Sequence, residues 1–262
     1  MYSDYILSLK DINNDNIKNS NFKSNYRYNA ILEHVSYNQG SQYLNLIENE
    51  FSEITIENVK NYFKLNDTYG KPNCEKFTTN NGETLICSAT SLRYIYHALL
   101  ILKHLKEVNL KSIVEVGCGY GGLYLAICYF SDILNIEIDN YYFIDFPEVN
   151  NLIDNYIKIN ETSLKKKINY YLHNCFEYGE SIKENNELFL ISNYCFTEIS
   201  QEHRNNYINK LFNKVKNGFI IWQTCFDYDI KYLETINKDI KCLTKERPQT
   251  ASENQPNYFV YF

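Results

Sequence analysis

A glycine-rich segment follows a short apolar run near the middle of this 262-residue chain. Four glycines, Gly117, Gly119, Gly121 and Gly122, come directly after the run Ile113–Val116, and an apolar run typical of a helix follows them. Glycine adopts positive φ without steric strain and lets a ligand approach the backbone closely. The N–H groups at a helix start point towards such a ligand. The segment therefore predicts a strand, a tight turn and a helix start that hold the nucleoside end of a cofactor.

An acidic residue ends the next apolar run, Tyr142–Ile144. Asp145 lies 28 residues after Gly117, where its carboxylate can accept hydrogen bonds from both hydroxyls of a ribose. Phe146 follows and is placed to pack on an adenine. The alternative is that Asp145 caps a helix that begins at Pro147.

The elements that position these residues alternate between strands and helices. The apolar patterns predict strands at 113–116, 141–145, 168–172, 187–192, 218–224, 239–244 and 257–262, and helices at 121–134, 148–159, 200–215 and 228–237. This alternation indicates a parallel α/β sheet with helices on both faces. No helix is predicted between the last two strands, so we expect them to form an antiparallel hairpin. The fold class is a doubly wound, Rossmann-like sheet of seven strands.

The residues before this sheet are predicted to be mostly helical. Residues 1–30 are polar, rich in asparagine and expected to be loosely structured, whereas helical spacing covers 28–51, 54–65 and 92–108. A hairpin is expected at Asn81-Gly82, and Ser88 or Thr90 is expected to cap the helix at 92–108. We therefore expect a helical cap or lid region at residues 1–87 and a cofactor-binding domain at 88–262.

The net charge and composition of the chain indicate which kinds of ligand or partner it binds. The formal net charge is −6 and the longest basic run is Lys165–Lys167, whereas non-specific nucleic-acid binding needs clustered cations. No signal peptide and no membrane-spanning run is recognisable. The eight cysteines lack zinc-ligand spacing. Four of them are expected to be small buried residues in a reducing compartment, namely Cys118, Cys128, Cys195 and Cys225. We expect a cytoplasmic protein with a small-molecule partner, without nucleic-acid or membrane binding and without a metal; the oligomeric state stays open.

Two cofactor classes fit the glycine turn. The segment Gly117–Gly122 matches G-x-G-x-x-G, the fingerprint of NAD(P) sites. With Glu115 included, the segment E-V-G-C-G-Y-G resembles motif I of class I S-adenosylmethionine (SAM)-dependent methyltransferases. Their sheet also ends in an antiparallel strand, and about 150 residues after the turn leave no room for a separate dehydrogenase substrate domain. The resemblance implies SAM as cofactor and S-adenosylhomocysteine (SAH) as product.

Further segments between residues 85 and 262 resemble a family of sugar O-methyltransferases. They are Ser88–Tyr94, similar to S-P-T-T-L-R-Y, Asp145–Val149, similar to D-L-P-E-V, Asn193–Glu198, similar to N-x-x-x-F-S-E, and Glu246–Thr250, similar to E-R/H-P-x-T. Ala89 replaces a proline of that pattern and Thr197 replaces a serine. The resemblance implies methyl transfer to a hydroxyl of a nucleotide-linked or glycan-bound sugar, with deoxy and amino sugars included.

The site assignments follow this resemblance. Glu198 is the first candidate for the general base that takes the hydroxyl proton during attack, and His97 and His203 are further catalytic candidates. The residues assigned to cofactor binding are Arg93, Glu115, Gly117, Cys118, Gly119, Gly121, Gly122, Asp145, Phe146, Asn174, Cys175 and Asn193. The residues assigned to acceptor binding are Tyr120, Tyr194 and Arg247. Structural roles as helix caps, core residues or ion pairs remain open for the polar members of these sets.

Three alternative functions also remain open at this point. The first is another small-molecule or protein methyltransferase. The second is an NAD(P)-dependent oxidoreductase, which the literal glycine pattern allows. The third is a non-catalytic subunit with the same fold, which the glycine turn, Asp145 and Glu198 together disfavour.

Overall fold

The computed structural model describes residues 2–10, 12, 16–29, 32, 34–183, 187–225 and 230–262. Its helices are α1 (Tyr2–Leu9), α2 (Tyr26–Asn29), α3 (Tyr37–Glu50), α4 (Ile56–Asn66), α5 (Ala89–Val108), α6 (Gly122–Ile133), α7 (Pro147–Asn160) and α8 (Gln201–Lys210). Its strands are β1 (Cys74–Thr78), β2 (Thr84–Ser88), β3 (Ser112–Val116), β4 (Asn140–Asp145), β5 (Asn169–Asn174), β6 (Leu188–Asn193), β7 (Val215–Trp222), β8 (Cys242–Lys245) and β9 (Tyr258–Tyr261). Single 3-10 turns are Phe22–Ser24, Glu161–Ser163, Cys175–Glu177 and Phe212–Lys214, and a longer 3-10 helix is Ile230–Ile236.

These elements form two compact units, each assembled from several segments. Unit one comprises Met1–Lys103, Gly119–Ile136 and Asn151–Lys167, and unit two comprises His104–Cys118, Glu137–Asn150 and Ile168–Phe262. The predicted boundary between residues 87 and 88 stays a prediction.

Unit two contains the seven-stranded sheet, in the order β5-β4-β3-β6-β7-β9-β8. Strands β3 to β7 are parallel, and β9 runs antiparallel to both β7 and β8. All five residues of β3 are buried, as expected for a central parallel strand that is covered on both faces. The predicted Rossmann-like fold and the terminal antiparallel hairpin are therefore confirmed.

One face of this sheet carries a continuous apolar core in unit two. Residues of β3 and β6 alternate, so Val114, Val116 and Leu190 point to the same face. Tyr207 of α8 and the residues that follow this helix cover them. The largest buried side chains of this cluster are Phe196, Tyr207, Phe212, Trp222 and Phe262.

Unit one differs from the prediction at its beginning. Residues 1–30 were expected to be loosely structured, but α1, the turn at Phe22–Ser24 and α2 occupy much of the described part. Tyr5, Phe22 and Tyr28 are buried, and their burial stabilises helices in a segment whose asparagine content argues against them. The hairpin predicted at Asn81-Gly82 is confirmed by the antiparallel pair β1 and β2.

Several predicted helices have different bounds in the structure. The helix predicted at 200–215 ends at Lys210, because Val215 already pairs with Leu188 and so begins β7. In the region predicted at 28–51, α3 begins at Tyr37 behind the capping residue Ser36, and Ile31 lies outside the described residues. Of the helix predicted at 228–237, residues 228 and 229 lie outside the described part, and Ile230–Ile236 form a 3-10 helix.

The helix predicted at 92–108 begins earlier, at residue 89. The hydroxyl of Ser88 accepts a hydrogen bond from the Ser91 N–H at 3.1 Å. Ser88 is therefore the cap, and Thr90 lies inside α5. Among the residues that the structure describes, no helix has both the length and the hydropathy that a bilayer crossing requires.

Candidate functional site

The glycine turn leaves β3 through backbone conformations that other residues rarely adopt. Gly117, Gly119 and Gly121 have φ values of 80°, 58° and 85°, in the left-handed region that favours glycine. At Gly117 there is also no space for a side chain, because an added Cβ would lie 2.3 Å from the Cβ of Cys195. Gly121 precedes the first residue of α6. The turn therefore requires glycine both for its backbone conformation and for close packing.

Asp145 holds this turn in place from the end of β4. Its Oδ2 atom accepts a hydrogen bond from the Cys118 N–H at 2.6 Å, and its Oδ1 atom accepts one from the Phe146 N–H at 2.8 Å. The Gly117 N–H donates to the Ile144 carbonyl at 3.1 Å. The predicted glycine turn and the predicted carboxylate are thus brought together. Phe146, rather than Asp145, directly precedes the first helical residue of α7.

Asn150 was missed by the sequence reasoning. Its Nδ2 atom donates to the carbonyls of Asp145 and His173, at 3.2 and 2.8 Å. This side chain therefore ties the ends of β4 and β5 together beside the glycine turn. An asparagine in the first turn of a helix gives no sequence signal of such a role, because both of its partners come from other elements.

A largely apolar pocket opens at the carboxyl ends of β3, β4, β5 and β6. Its cavity volume is about 70 Å³, which is smaller than the roughly 300–1,000 Å³ of a typical ligand pocket. Strand order reverses at β3, whose neighbours are β4 and β6, and ligands of open α/β sheets bind at such switch points. The lining residues are Val116, Gly117, Ile144, Asp145, Phe146, Cys175, Phe176, Tyr178, Cys195, Ile199, His203 and Tyr207.

Aromatic rings form one side of the pocket. Phe176 is 56% exposed, and its ring lies edge-on to that of Phe146 with 5.9 Å between centroids. His203, a predicted catalytic residue, accepts or donates a hydrogen bond at Nδ1 with the Tyr178 hydroxyl at 2.8 Å. An exposed aromatic ring at a pocket offers a surface on which a planar ligand can stack.

Asn174 is the last residue of β5, and Cys175 follows it at the same edge. The Oδ1 atom of Asn174 accepts from the Phe176 N–H at 3.1 Å, so this amide caps the turn Cys175–Glu177. Cys175 lines the pocket, and burial together with the nearby Asp145 carboxylate raises the pKa of its thiol to about 12. Burial raises the pKa of the Cys118 thiol well above its ordinary value. Both thiols are therefore neutral at physiological pH and are poor nucleophiles.

Glu115 lies inside the sheet at a buried position. It is 2% exposed, and its Oε2 atom accepts a hydrogen bond from the Tyr141 hydroxyl on β4 at 2.8 Å. Burial raises the pKa of Glu115 to about 8, although the Tyr141 hydrogen bond opposes this effect. At neutral pH the carboxyl group is therefore mainly protonated. Its hydrogen bond with Tyr141 links β3 to β4.

Glu198 lies in the loop that follows β6, and Gln223 contacts it. The Nε2 atom of Gln223 donates to Oε1 of Glu198 at 3.1 Å. The Oε1 atom of Gln223 accepts from the hydroxyl of the buried Thr197 at 2.9 Å. Thr197 thus fixes the orientation of the Gln223 amide so that its NH₂ group faces the carboxylate. Gln223 directly follows β7, and the sequence reasoning missed it.

The same loop is joined to the segment after β8. Asn193 is the last residue of β6. Tyr194 has a φ of 62°, and its hydroxyl donates to Oε1 of the buried Glu246. Glu246 also accepts at Oε2 from the Thr250 N–H and from the Asn257 amide, each at 3.0 Å.

The hydrogen bonds to Glu246 fix the position of the backbone at Arg247. Arg247 follows Glu246 directly and is exposed. Because the neighbouring carboxylate is held by Tyr194, Thr250 and Asn257, the chain bearing Arg247 is fixed at the carboxyl edge of the sheet. A fixed and exposed arginine is suited to bind a carboxylate or phosphate.

The remaining predicted residues lie in unit one and are buried. Arg93 is 5% exposed, and its Nη2 atom donates to the Leu32 carbonyl at 2.7 Å. Burial and the charge of Arg93 lower the pKa of His97 well below its ordinary value. Tyr120 has no exposed surface, and its hydroxyl is hydrogen-bonded to the Asn66 side chain. In this conformation neither His97 nor Tyr120 presents a surface to an acceptor.

Gly119 and Gly122 belong to unit one and are closely packed within it. A Cβ at Gly119 would lie 3.3 Å from Leu32, and one at Gly122 would lie 2.6 Å from the ring of Tyr94. Among the residues with described positions, no group of three His, Cys, Asp or Glu side chains is arranged to hold a metal ion.

Comparison with known proteins identifies no family for this chain. No protein-family model matches the sequence, and no curated protein matches it. Among solved structures it is similar to the methyltransferase domain of bacterial CtHen1, at 12% identity over 63% of this chain and 96% of that domain, with a TM-score of 0.45. It is also similar to a candidate O-methyltransferase of Nostoc punctiforme PCC 73102, at 10% identity over 66% of this chain and 58% of that chain, with a TM-score of 0.46. The similarity to the small RNA methyltransferase HEN1 has 11% identity over 66% of this chain and 25% of that chain, with a TM-score of 0.49. Such low identities and TM-scores carry no argument about activity, and the strand order and site geometry above stand without them.

Proposed function

We propose that this protein is a SAM-dependent O-methyltransferase whose acceptor is a sugar hydroxyl. The observation that carries the cofactor assignment is the antiparallel β9, which lies between β7 and β8 beside the parallel strands. A dinucleotide-binding sheet of the common order 3-2-1-4-5-6 has no such strand. The resemblance of the E-V-G-C-G-Y-G segment to methyltransferase motif I supports the same choice.

The residues that line the pocket of unit two suit the nucleoside part of SAM. A carboxylate can accept about four hydrogen bonds, which is enough for the two backbone amides at Asp145 and the two hydroxyls of a ribose. Phe146 and Phe176 offer rings for an adenine, and the apolar walls exclude water from its faces. The glycine turn lets the cofactor approach the backbone of Gly117 to Gly121.

When bound, SAM supplies an electrophilic methyl group on a sulfonium. The acceptor oxygen forms the new bond to carbon as the carbon–sulfur bond breaks, and the electron pair of that bond remains on the sulfur of SAH. The chain must then hold the acceptor oxygen in line with the methyl group, because positioning supplies much of the rate.

Glu198 is proposed to take the proton that the acceptor hydroxyl loses. A sugar hydroxyl is a poor nucleophile at neutral pH, so removal of its proton during attack lowers the barrier. The Gln223 amide bonds to one oxygen of the Glu198 carboxylate. This contact limits rotation of the carboxylate and therefore supports a fixed direction for the base.

Tyr194 and Arg247 are proposed to contact the acceptor. Both belong to the segments held by the buried Glu246, and Arg247 is exposed. An arginine there suits a sugar that carries a carboxylate or a diphosphate, as a nucleotide sugar does. The sugar itself rests on the resemblance of the segments Ser88–Tyr94 and Asn193–Glu198 to sugar O-methyltransferases.

Differential scanning calorimetry with SAH or NADH tests which cofactor the protein binds. A ligand at about 100 times its Kd stabilises the native state by about 2.7 kcal/mol, which raises the Tm of a chain of this size by about 5–10 °C. We expect this shift with SAH and none with NADH. A shift with NADH alone would refute the methyltransferase assignment and favour the oxidoreductase. Incubation of the protein with SAM and a panel of nucleotide sugars and glycans then tests the acceptor, with the methylated oxygen located by NMR.

A further inference from the structure

A polar cleft in unit one lies outside the pocket described above. Its cavity volume is about 490 Å³. Its wall combines the chain before α3, the start of β1 and the start of α5. The lining residues are Asn29, His34, Val35, Ser36, Tyr37, Asn73, Glu75, Ser88, Ala89 and Thr90.

Thr90 brings a hydroxyl to this cleft from the start of α5. The residue is 2% exposed and lines the cleft. A threonine hydroxyl can donate one hydrogen bond and accept two. Thr90 can therefore offer a hydrogen bond to a ligand inside the cleft.

Tyr37 provides a fixed aromatic surface. One face of its ring stacks on the buried Phe77, at 5.1 Å between centroids and 13° between planes. Phe77 is held in turn by close contact with Gly40, where an added Cβ would lie 2.7 Å from the Phe77 ring. Tyr37 itself remains 46% exposed. The ring therefore presents a surface that loses little conformational entropy when a ligand stacks on it.

The polar groups of the cleft suit a neutral ligand with many hydroxyls. The described lining residues include the carboxylate of Glu75 and the amides of Asn29 and Asn73, but no lysine or arginine. A phosphate or carboxylate ligand would be repelled by the Glu75 charge, and only a protonated His34 in the described lining would offset this charge. Carboxylates, amides and a hydroxyl can instead pair with the donors and acceptors of sugar hydroxyls, while the C–H face of a sugar ring packs on an aromatic ring.

We propose that this cleft binds one neutral carbohydrate ring, stacked on Tyr37 and hydrogen-bonded to Thr90 and Glu75. The binding site is inferred from the cleft alone; its identification as an acceptor subsite rests on the proposed function.

Saturation-transfer NMR on the full chain tests this proposal. The probes are the methyl glycosides of glucose, galactose, mannose, rhamnose and N-acetylglucosamine, with uridine and inorganic phosphate as competing ligand classes. We expect saturation of the ring C–H protons of at least one glycoside. Tyr37→Ala should weaken its binding about tenfold through loss of the stacked ring, and Thr90→Val should weaken it about fivefold through loss of one hydrogen bond.

Two matched variants control for general effects. Tyr26→Ala removes a tyrosine that is 74% exposed, and Thr78→Val changes an exposed threonine of β1; neither residue lines the cleft. Both should bind the glycoside as the unchanged protein does, and far-UV circular dichroism and the Tm confirm that all four variants fold.

Three outcomes would overturn the proposal. They are the absence of binding by all five glycosides, binding of uridine or phosphate in their place, and equal weakening by Tyr37→Ala and Tyr26→Ala. The SAH shift is measured separately on the same samples. An SAH shift without glycoside binding removes the cleft proposal and keeps the cofactor assignment, whereas glycoside binding without an SAH shift keeps the cleft and removes methyl transfer.

Discussion

Glu115→Gln should make the protein more stable at neutral and alkaline pH. The side chain is 2% exposed and its pKa is raised from 4.5 to about 8. In the native state it therefore holds a proton over a pH range in which the unfolded chain has already lost it. Stability from this group is fully present below pH 4.5, falls as the pH rises, and is lost by about pH 8. Glutamine has nearly the same shape, carries no proton to lose, and can still accept from Tyr141.

The size of the effect follows from the raised pKa. Each unit of difference corresponds to about 1.4 kcal/mol, so 3.5 units give an upper limit of about 5 kcal/mol over the whole range. Between pH 5 and pH 7.5 the free energy of unfolding of the unchanged protein should fall relative to that of Glu115→Gln by about 3 kcal/mol. The hydrogen bond from the Tyr141 hydroxyl lowers the pKa of Glu115. Tyr141→Phe removes this bond, so the pH at which the fall in stability ends should move to a higher value.

Urea unfolding at several pH values between 5 and 8.5 measures the difference. The m value reports whether the unfolded state is comparable in the two proteins. Glu53→Gln, at an exposed position, is the matched control and should give a difference that is small and independent of pH. A constant difference between the unchanged protein and Glu115→Gln over this range would refute the argument, since Glu115 would then not be protonated in the native state.

Three further changes test the site itself. Gly117→Ala should destabilise the protein by about 3 kcal/mol through overpacking against Cys195 and backbone strain, whereas Gly82→Ala, with a similar φ of 85° and nothing within 4 Å, should show the strain alone; equal losses in urea unfolding would contradict the packing argument. Asp145→Asn should weaken SAH binding by about 10- to 100-fold in calorimetry, since charged hydrogen bonds contribute about 1.5–3 kcal/mol, and unchanged affinity would exclude a ribose contact. Glu198→Gln should leave SAH affinity unchanged and lower kcat by about 10²- to 10⁴-fold, and unchanged kcat would exclude it as the base.

The fold was predictable because its strands are short apolar runs separated by glycines and polar turns. The sequence indicated seven strands after residue 112 and an antiparallel pair at the end, and the sheet has both. The end of α8 was harder to place, since Phe212 and Val215 continue a helical apolar pattern. Pairing of Val215 with Leu188, which lies 27 residues earlier, decides that β7 begins there.

The site was predictable only where one local segment contains the signal. The glycine turn and Asp145 are such segments, and the structure joins them through the hydrogen bond from the Cys118 N–H to the Asp145 carboxylate. The Tyr141 partner of Glu115 depends on the register between two strands, and the Glu246 partner of Tyr194 lies 52 residues away in sequence. Pairs of this kind follow from tertiary packing, which no local pattern encodes.

Several polar side chains at the carboxyl edge of the sheet bond to the backbone of a neighbouring strand or loop. Ser192 donates to the Val116 carbonyl at 3.0 Å and accepts from the Phe196 N–H at 3.1 Å. Asp145 and Asn150 make similar bonds to the glycine turn and to β5. These bonds fix the backbone that a ligand would contact, so that less entropy is lost on binding. A residue such as Asp145 would then stabilise the turn and bind the ribose at once. Replacement of Asp145 by alanine removes both effects. Asp145→Asn keeps one side-chain oxygen that can accept from a backbone N–H, but it removes the negative charge. If Asp145→Asn lowers SAH affinity without lowering the free energy of unfolding, the charge of Asp145 contributes to cofactor binding.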